Sequence, residues 1–163
     1  NSQQGEVPLS QEIETLGLYL KLEQLRFPEK FEYQIDLHPE VDKMKCLIPT
    51  MLIQPFIENS IRHGLRHREK GGLLEVGFAR ENDQLHVWVE DNGIGREASQ
   101  RMKTGHHVEY QSRGVDLSSN RVSSLEILKG QTTSVKITDL YTGDGEACGT
   151  RIDLLLPYEL STT

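Results

Sequence analysis

The stretch Asp91-Asn92-Gly93-Ile94-Gly95 decides the fold, because it follows a run of alternating apolar residues and opens a Gly-x-Gly turn. Upstream of it lies a second motif, Gln54-Pro55-Phe56-Ile57-Glu58-Asn59. The amide oxygen of Asn59 is one of the hard ligands that Mg²⁺ prefers beside substrate phosphates. The carboxylate of Asp91 can accept a hydrogen bond from an exocyclic amine, which adenine has. The two motifs together therefore predict a site for an adenine nucleotide.

The composition is that of a globular protein with one domain. The chain has 163 residues, of which 36% are hydrophobic and 26% are charged. Its net charge of -7 and the lack of a basic stripe argue against a nucleic-acid partner. No window approaches the roughly 18 consecutive apolar residues of a membrane span. Cys46 and Cys148 lack metal-ligand spacing, and we expect them to be reduced thiols of a cytosolic protein.

Apolar periodicity predicts three helices, at about residues 10–27, 50–65 and 114–128. The predicted core positions of the first are Ile13, Leu16, Leu20 and Leu25. The second helix carries two stripes. Its apolar stripe consists of Ile53, Ile57, Ile61 and Leu65, and its polar stripe consists of Asn59, Arg62, His63 and Arg66. One face of this helix is therefore expected to pack and the other to meet a ligand.

Alternating patterns predict strands at 31–37 and 73–80, and a return strand at 45–48. Two hairpins are expected, one through Asn82-Asp83 into Asp91 and one around Gly143-Asp144-Gly145. The order of these elements predicts an α+β two-layer sandwich, with helices on one face of a mixed sheet. The polar segment at about 96–113 is interpreted as a lid over the ligand.

The motifs resemble those of the GHKL superfamily of ATP-binding domains, and within it the sensor histidine kinases of the LytS/YehU-like group. Residues 54–64 are similar to the N box, and Asp91–Gly95 is similar to the first Gly box. Arg113–Leu117 occupies the second Gly box, and Gly149-Thr150 resembles the last. The opening helix is also similar to the segment before the N box in this group. The resemblance covers essentially the whole chain and implies the Bergerat-type fold with an ATP lid.

The resemblance implies a role for each matching residue. Asn59 would bind Mg²⁺, and Asp91 would bind the adenine amino group. Glu58 would act on the acceptor imidazole or bind Mg²⁺ through water, and a surface carboxylate is the alternative interpretation. Arg62 and His63 would meet phosphate oxygens, although a solvated charged face is an equally good interpretation of both. The other implied nucleotide-binding residues are Gly93 and Gly95, which allow close backbone approach, Thr150 through its hydroxyl, and Arg113, Gly114 and Leu117 of the second Gly box.

The reaction type depends on Gln54. GHKL members that hydrolyse ATP place a Glu before the Asn to activate water, and Gln54 is interpreted as the residue at that place. An amide is not a general base, so the resemblance favours transfer of the γ-phosphoryl group to a protein acceptor. Phosphoryl transfer needs mainly positioning and neutralisation of charge. The expected cofactors are ATP and Mg²⁺, and the expected enzyme class is protein-histidine kinase.

The acceptor histidine is expected on a dimerisation helix outside this chain, because no His here has the sequence context of that motif. Residues 1–28 are interpreted as a helical segment leading from that region, and residues 29–163 as the kinase domain. The implied partners are ATP, a response regulator and a second copy in the full-length protein. The chain is expected to be the cytoplasmic part of an inner-membrane sensor, with the membrane reached only through upstream segments.

Three rival functions follow from the same residues. Asp116 stands where the second Gly box has Gly, and a carboxylate beside a triphosphate costs affinity. The first rival is therefore a degenerate domain that acts as a signalling scaffold with weak or no ATP binding; we expect Asp116→Gly to tighten ATP binding in a calorimetric titration. The second is a GHKL hydrolase, against which Gln54 argues. The third is an interaction module that binds no nucleotide.

Overall fold

A computed structural model describes residues 5–96, 98–99 and 134–162. The elements in chain order are β1 (Glu6–Pro8), α1 (Leu9–Arg26), β2 (Phe31–Leu37), β3 (Cys46–Pro49), α2 (Gln54–His63), a short 3-10 helix (Leu65–His67), β4 (Gly72–Glu81), β5 (Gln84–Asp91), β6 (Ser134–Tyr141), β7 (Ala147–Pro157) and β8 (Glu159–Leu160). The predicted helix at 114–128 and nearly all of the predicted lid lie outside the described residues.

The main sheet has five strands in the order β2-β4-β5-β7-β6. β2 runs parallel to β4, and the other neighbours are antiparallel. The parallel pair is possible because β3 and α2 lie between its strands and provide the long crossover that such a pair requires. Asn82 makes the tight turn between β4 and β5 with a φ of 58°, which Asn tolerates well. The mixed sheet that the sequence predicted is therefore confirmed.

The core lies between one face of this sheet and the two helices. The residues of β4, β5 and β7 alternate between this face and the opposite one, as the period of a strand requires. The predicted apolar stripe of α2 is confirmed, since all four of its residues are fully buried. The largest fully buried side chains include Leu16, Leu20, Phe56, Ile57, Leu74 and Phe78. The α+β two-layer architecture that the sequence predicted is present.

Three local expectations are wrong. The predicted return strand, β3, does not pair with β2; it lies between β1 and β8 in a separate three-stranded sheet. Leu25 was expected in the core but is 76% exposed, because the helical period places it on the face of α1 opposite Leu16 and Leu20. The second helix begins at Gln54 and not near residue 50, since Met51 has a φ of 63°, which lies outside the helical region.

α1 belongs to the same core as the rest of the molecule, because Leu9, Leu16 and Leu20 pack with residues of the main sheet and of α2. The division of the chain at residue 28 stays a prediction. Among the helices of the described ranges, none is both long and apolar enough to cross a membrane.

Candidate nucleotide site

The candidate site is built around Asp91, the last residue of β5. Its neighbours in register are Leu74 on β4 and Thr150 on β7, so the strand end is flanked on both sides. The side chain is buried, with 3% of the residue exposed. The backbone N–H of Gly93 donates to Asp91 Oδ1 at 2.9 Å, and the Ser60 hydroxyl and the Thr150 backbone also hydrogen-bond the carboxylate. Groups from α2, from β7 and from the loop after β5 therefore hold one carboxylate in a fixed position.

Burial raises the pKa of Asp91 to about 6, and the hydrogen bonds from Gly93, Ser60 and Thr150 oppose that rise. At neutral pH the group is mainly ionised, although its surroundings disfavour the charge. A buried carboxylate with a perturbed pKa is a common mark of a functional site. Such a group is a strong acceptor for a ligand that donates N–H.

Glycines allow backbone to pack against backbone around this carboxylate. A Cβ on Gly93 would collide with the backbone of Gly64, the residue after α2. A Cβ on Gly149 would collide with the Asp91 carbonyl, and Gly149 also has a φ of 137°. We expected Gly93 to be small because a ligand approaches it, but in the structure the end of α2 already requires a glycine there. Gly95 has a φ of 90°, a conformation that favours glycine.

Asn92 fixes the loop that follows Asp91, a role that the sequence did not indicate. Its Oδ1 accepts a hydrogen bond from the Leu73 N–H at 2.7 Å, and its Nδ2 donates to the Gly71 carbonyl at 3.1 Å. Arg68 donates through Nη1 to the Asn92 carbonyl at 2.9 Å. The motif was interpreted through Asp91 and its two glycines, and the preference of Asn for hydrogen bonds to nearby backbone was the available signal for Asn92.

The contact of Ser60 was also not predicted, because the metal-binding chemistry of the N box points to Asn59. In the helix Ser60 lies about 100° from Asn59, and it points into the core side of α2, where it is buried and bonds Asp91. Asn59 itself is half-buried. Two adjacent residues of α2 therefore have different surroundings. Ser60 bonds the Asp91 carboxylate, and Asn59 lies on the more exposed side of the helix.

The other charged residues of α2 fall into two groups. His63 lies four residues after Asn59 and shares its face. Glu58 and Arg62 share the neighbouring face, toward α1, where both act electrostatically on Tyr19. Burial first, and then the carboxylates of Glu23 and Glu58, raise the pKa of Tyr19 far above its usual range. Arg66 lies beyond α2 in the short 3-10 helix.

Thr150 is buried, and its contact with Asp91 is made by the backbone. Participation of its hydroxyl in nucleotide binding stays a prediction. Arg96, the first residue of the predicted lid, makes two hydrogen bonds of 2.8 Å to the carboxylate of Asp139 on β6. Arg96 thereby holds the pKa of Asp139 below its usual range. This pair attaches the residue that follows Gly95 to the edge of the sheet.

The amide oxygen of Asn59 is chemically suited to a magnesium ion that is shared with a nucleotide. Within the described ranges no three His, Cys, Asp or Glu side chains cluster as metal ligands. Mg²⁺ commonly uses one or two protein oxygens and completes its shell with substrate phosphates and water. The Asn59 amide can supply such an oxygen without a cluster of carboxylates.

Neither Gln54 nor Pro55, five and four residues before Asn59, carries a base that could activate water. The inference about reaction type therefore does not depend on which of the two matches the Glu of the hydrolases. The remaining predicted site residues, Arg113, Gly114 and Leu117, lie outside the described residues, as does Asp116.

Comparison with known proteins gives relatives over almost the entire chain. The chain is 30% identical over 158 residues to the sensor protein LytS of Staphylococcus epidermidis, which covers 95% of this chain and 25% of that protein. It is 31% identical over 157 residues to the sensor protein LytS of Enterococcus faecalis, which covers 96% of this chain and 26% of that protein. The chain thus spans about a quarter of the length of these relatives. No family model matches it.

Solved structures show the same fold at low sequence identity. The catalytic domain of the histidine kinase ThkA superposes with a TM-score of 0.60 at 8% identity, covering 94% of this chain and 95% of that one. The mycobacterial sensor histidine kinase MprB superposes with a TM-score of 0.60 at 14% identity, covering 95% of this chain and 99% of that one.

Proposed function

Because this chain is a homologue of the LytS sensor proteins with the fold of a histidine kinase catalytic domain, we propose that it binds MgATP and transfers the γ-phosphoryl group to a histidine. The acceptor lies on a dimerisation helix of the longer, homodimeric protein, outside this chain. A response regulator then receives the phosphoryl group. The longer protein is a membrane sensor, and this chain is its cytoplasmic catalytic part.

The observation that carries the proposal is the buried carboxylate of Asp91. It lies at a strand end, and hydrogen bonds from α2, β7 and the following loop orient it. A carboxylate in this state accepts hydrogen bonds only, so it favours a ligand with an exocyclic N–H at this point. Adenine has such a group and guanine has a carbonyl at the corresponding edge. The Ser60 hydroxyl, which contacts the same carboxylate, sets its orientation toward the base.

The more exposed face of α2 serves the phosphates. Asn59 supplies a metal ligand and His63 lies beside it on the same face. Mg²⁺ bound there would neutralise charge on the phosphates and orient them. Arg62 lies toward α1, and its long side chain reaches the phosphates from that side. Gly95 gives the chain a left-handed turn after the adenine-binding residues.

Glu58 is the residue that handles the proton of the acceptor. It is half-buried and adjacent in sequence to Asn59, the proposed metal ligand. As the acceptor nitrogen bonds to the γ-phosphorus and the bond to ADP breaks, a neighbouring carboxylate can take or orient the proton on the other ring nitrogen. Its position on the helix, one residue before the metal ligand, supports this role.

Calorimetric titration with ATP, with and without Mg²⁺, tests the proposal. We expect binding by the wild-type chain and its loss in Asp91→Asn, since the amide presents N–H in place of an acceptor oxygen. Asp144→Asn is the matched control, because Asp144 lies in an exposed turn between β6 and β7. Equal binding by the two variants, or no binding by the wild type at millimolar ATP, would refute the nucleotide site.

Transfer to histidine needs a second measurement on the full-length protein. With radiolabelled ATP we expect an acid-labile phosphoryl group on the protein, which is lost in Asp91→Asn and in Glu58→Gln. The isolated chain should show no steady release of inorganic phosphate, because neither Gln54 nor Pro55 can activate water. Rapid steady hydrolysis by the isolated chain would favour a hydrolase instead.

A further inference from the structure

Arg68, the residue after the 3-10 helix, uses its guanidinium group on backbone carbonyls. Its Nη1 donates to the Asn92 carbonyl at 2.9 Å, and its Nε donates to the Lys70 carbonyl at 3.3 Å. Among the described residues, no carboxylate forms an ion pair with Arg68, although carboxylates are common partners of this side chain. Arg68 therefore joins the segment that follows α2 to the loop that follows β5.

The carbonyl that Arg68 contacts belongs to the same peptide unit as the N–H that bonds Asp91. The Asn92 carbonyl and the Gly93 N–H are the two ends of this unit, which is planar and trans. The Gly93 N–H donates to Asp91 Oδ1 at 2.9 Å. Because the unit is rigid, a rotation that breaks one of the two hydrogen bonds also breaks the other. A carbonyl that accepts a bond from a cation also makes the N–H of its peptide a stronger donor.

The other hydrogen bonds of Asn92 leave this peptide unit free to rotate. Its side chain bonds the Leu73 N–H and the Gly71 carbonyl, and its own N–H donates to the Leu73 carbonyl at 3.3 Å. All three bonds involve atoms that precede the Asn92 carbonyl along the backbone. Gly93, on the other side of the unit, accepts a wide range of φ at little cost. Arg68 supplies the restraint that the flanking residues lack.

Arg68 is itself held in place. Its N–H donates to the Leu65 carbonyl at 3.1 Å, and its carbonyl accepts a bond from Lys30 Nζ at 2.9 Å. The guanidinium group lies against Gly71, with Nη2 3.5 Å from the position that a Cβ there would take. Since the side chain is half-buried and already bonded, little conformational entropy is lost when a ligand binds nearby.

We propose that Arg68 is a positioning residue for nucleotide binding, which orients the Asn92–Gly93 peptide and, through it, turns the Asp91 carboxylate toward the adenine amino group. This role rests on the proposed function. Burial raises the pKa of Asp91, and the Gly93 N–H opposes that rise more than any other group does. The bond that Arg68 supports is therefore the one on which this carboxylate depends most. The consequence is selectivity for a base that carries an exocyclic amine.

An NMR titration of the Asp91 carboxyl carbon, without nucleotide, tests the connection between Arg68 and Asp91. Arg68→Met keeps the apolar stem and removes the donors, and it should raise the pKa of Asp91 by about 0.5 or more because the Gly93 bond weakens. Arg80→Met is the matched control, since Arg80 donates to the Asn82 carbonyl at 2.9 Å in the turn at the other end of β4. An unchanged pKa in Arg68→Met, or equal changes in the two variants, would overturn the proposal.

Calorimetric titration with two nucleotides tests the selectivity. Purine riboside triphosphate has a hydrogen atom where ATP has the amino group. Arg68→Met should weaken binding of MgATP about five-fold or more, and binding of this analogue much less, because the analogue makes no bond to Asp91. Equal losses for the two nucleotides would overturn the proposal. A wild type that binds no ATP would refute the proposed function instead, and the titration without nucleotide distinguishes that result from a failure of Arg68 alone.

A structural role without positioning has a different signature. Thermal unfolding of Arg68→Met should give a melting temperature near that of the wild type, as we expect for a half-buried side chain. A large fall in melting temperature together with equal losses for the two nucleotides would assign Arg68 to the stability of the fold. Arg68→Lys keeps one cationic donor for the Asn92 carbonyl, so its pKa of Asp91 and its selectivity should lie between those of the wild type and Arg68→Met.

Discussion

At the scale of single residues, Asp91 shows a conflict between stability and function. Burial disfavours its charged form, yet the hydrogen bonds from Ser60, Gly93 and Thr150 all suit a carboxylate. A protein selected for stability alone would place an apolar or neutral group at such a position. The arrangement is understandable if a ligand requires an acceptor at this point.

The raised pKa of Asp91 predicts a particular dependence of stability on pH. The pKa of about 6 in the folded state exceeds that of an unfolded Asp, so the folded protein binds this proton more tightly. The free energy of unfolding therefore falls as the pH rises from about 4 to about 6, and it is constant above. Asp91→Asn should remove about 2 kcal/mol of this fall. Urea denaturation at several pH values measures it.

The control for this experiment is again Asp144→Asn, which should keep the wild-type slope. Parallel pH profiles for the wild type and Asp91→Asn would show that Asp91 has an ordinary pKa in the folded protein. Comparison with the variant is needed because other carboxylates titrate in the same range.

Gly93 lies where two backbones meet, and a methyl group there has no room. Gly93→Ala should destabilise the fold by about 2 kcal/mol or more, because its Cβ would strike the Gly64 backbone and push α2 from the Asp91 loop. Gly143→Ala is the matched control, since a Cβ at Gly143 meets no atom within 4 Å. Thermal unfolding of both variants tests this, and similar melting temperatures would contradict the packing described.

At the scale of elements, α2 connects the two halves of the proposed site. Its buried stripe places it on the sheet, and Ser60 joins it to the end of β5. The next residue back, Asn59, then faces the side where phosphates would lie. A rotation of α2 by one residue would move both groups by about 100°, so the apolar stripe fixes the site as well as the core.

Because Asn59 is the proposed metal ligand of α2, its substitution should change ATP binding in a way that depends on Mg²⁺. Asn59→Ala should weaken binding of MgATP about ten-fold or more, because it removes the metal ligand, and it should change binding of ATP in EDTA much less. Calorimetric titration in both buffers measures the two affinities. His67→Ala is a suitable control, since His67 lies beyond α2 in the 3-10 helix. An equal loss of affinity in both buffers would assign Asn59 to the nucleotide and not to the metal.

A second feature at this scale is the polar face of the sheet behind the site. Trp88 lies across Gly77, where a Cβ would collide with the indole ring. Arg151 bonds Glu90 on β5 at 3.1 Å and Asp153 on its own strand. Although burial opposes it, the bonds from Arg151 and His86 lower the pKa of Asp153. The bond between Arg151 and Glu90 joins β7 to β5 one residue away from Thr150 and Asp91, and so supports the site from the opposite face of the sheet.

At the scale of the whole molecule, the proposed ligand contacts elements that are far apart in the sequence. Bound ATP should therefore stabilise the chain as one unit. At about 100 times the Kd of MgATP, we expect the free energy of unfolding to rise by about 2.7 kcal/mol, with a single transition. Thermal or urea unfolding in the presence of nucleotide measures the rise. An unchanged transition in the wild type, or the same rise in Asp91→Asn, would contradict binding at this site.

The sequence by itself determined the longer helices and strands of the described ranges and the two motifs that matter most. The alternation along β2 and β5 and the apolar stripe of α2 are local patterns, and the strand end at Asp91 followed directly from the alternation. The resemblance to histidine kinase domains was carried by motifs such as Asp91–Gly95, whose order along the chain needs no coordinates.

Only the tertiary structure decided what the small and polar residues near the site contact. Ser60 bonds Asp91, Asn92 ties its loop to β4, and Gly93 meets Gly64, and each of these contacts joins residues from different elements. The pairing of β3 with β1 and β8 was also not predictable, because a short strand has no local signal that selects its partner. Local patterns report the period of an element, whereas partner choice depends on how the elements pack together.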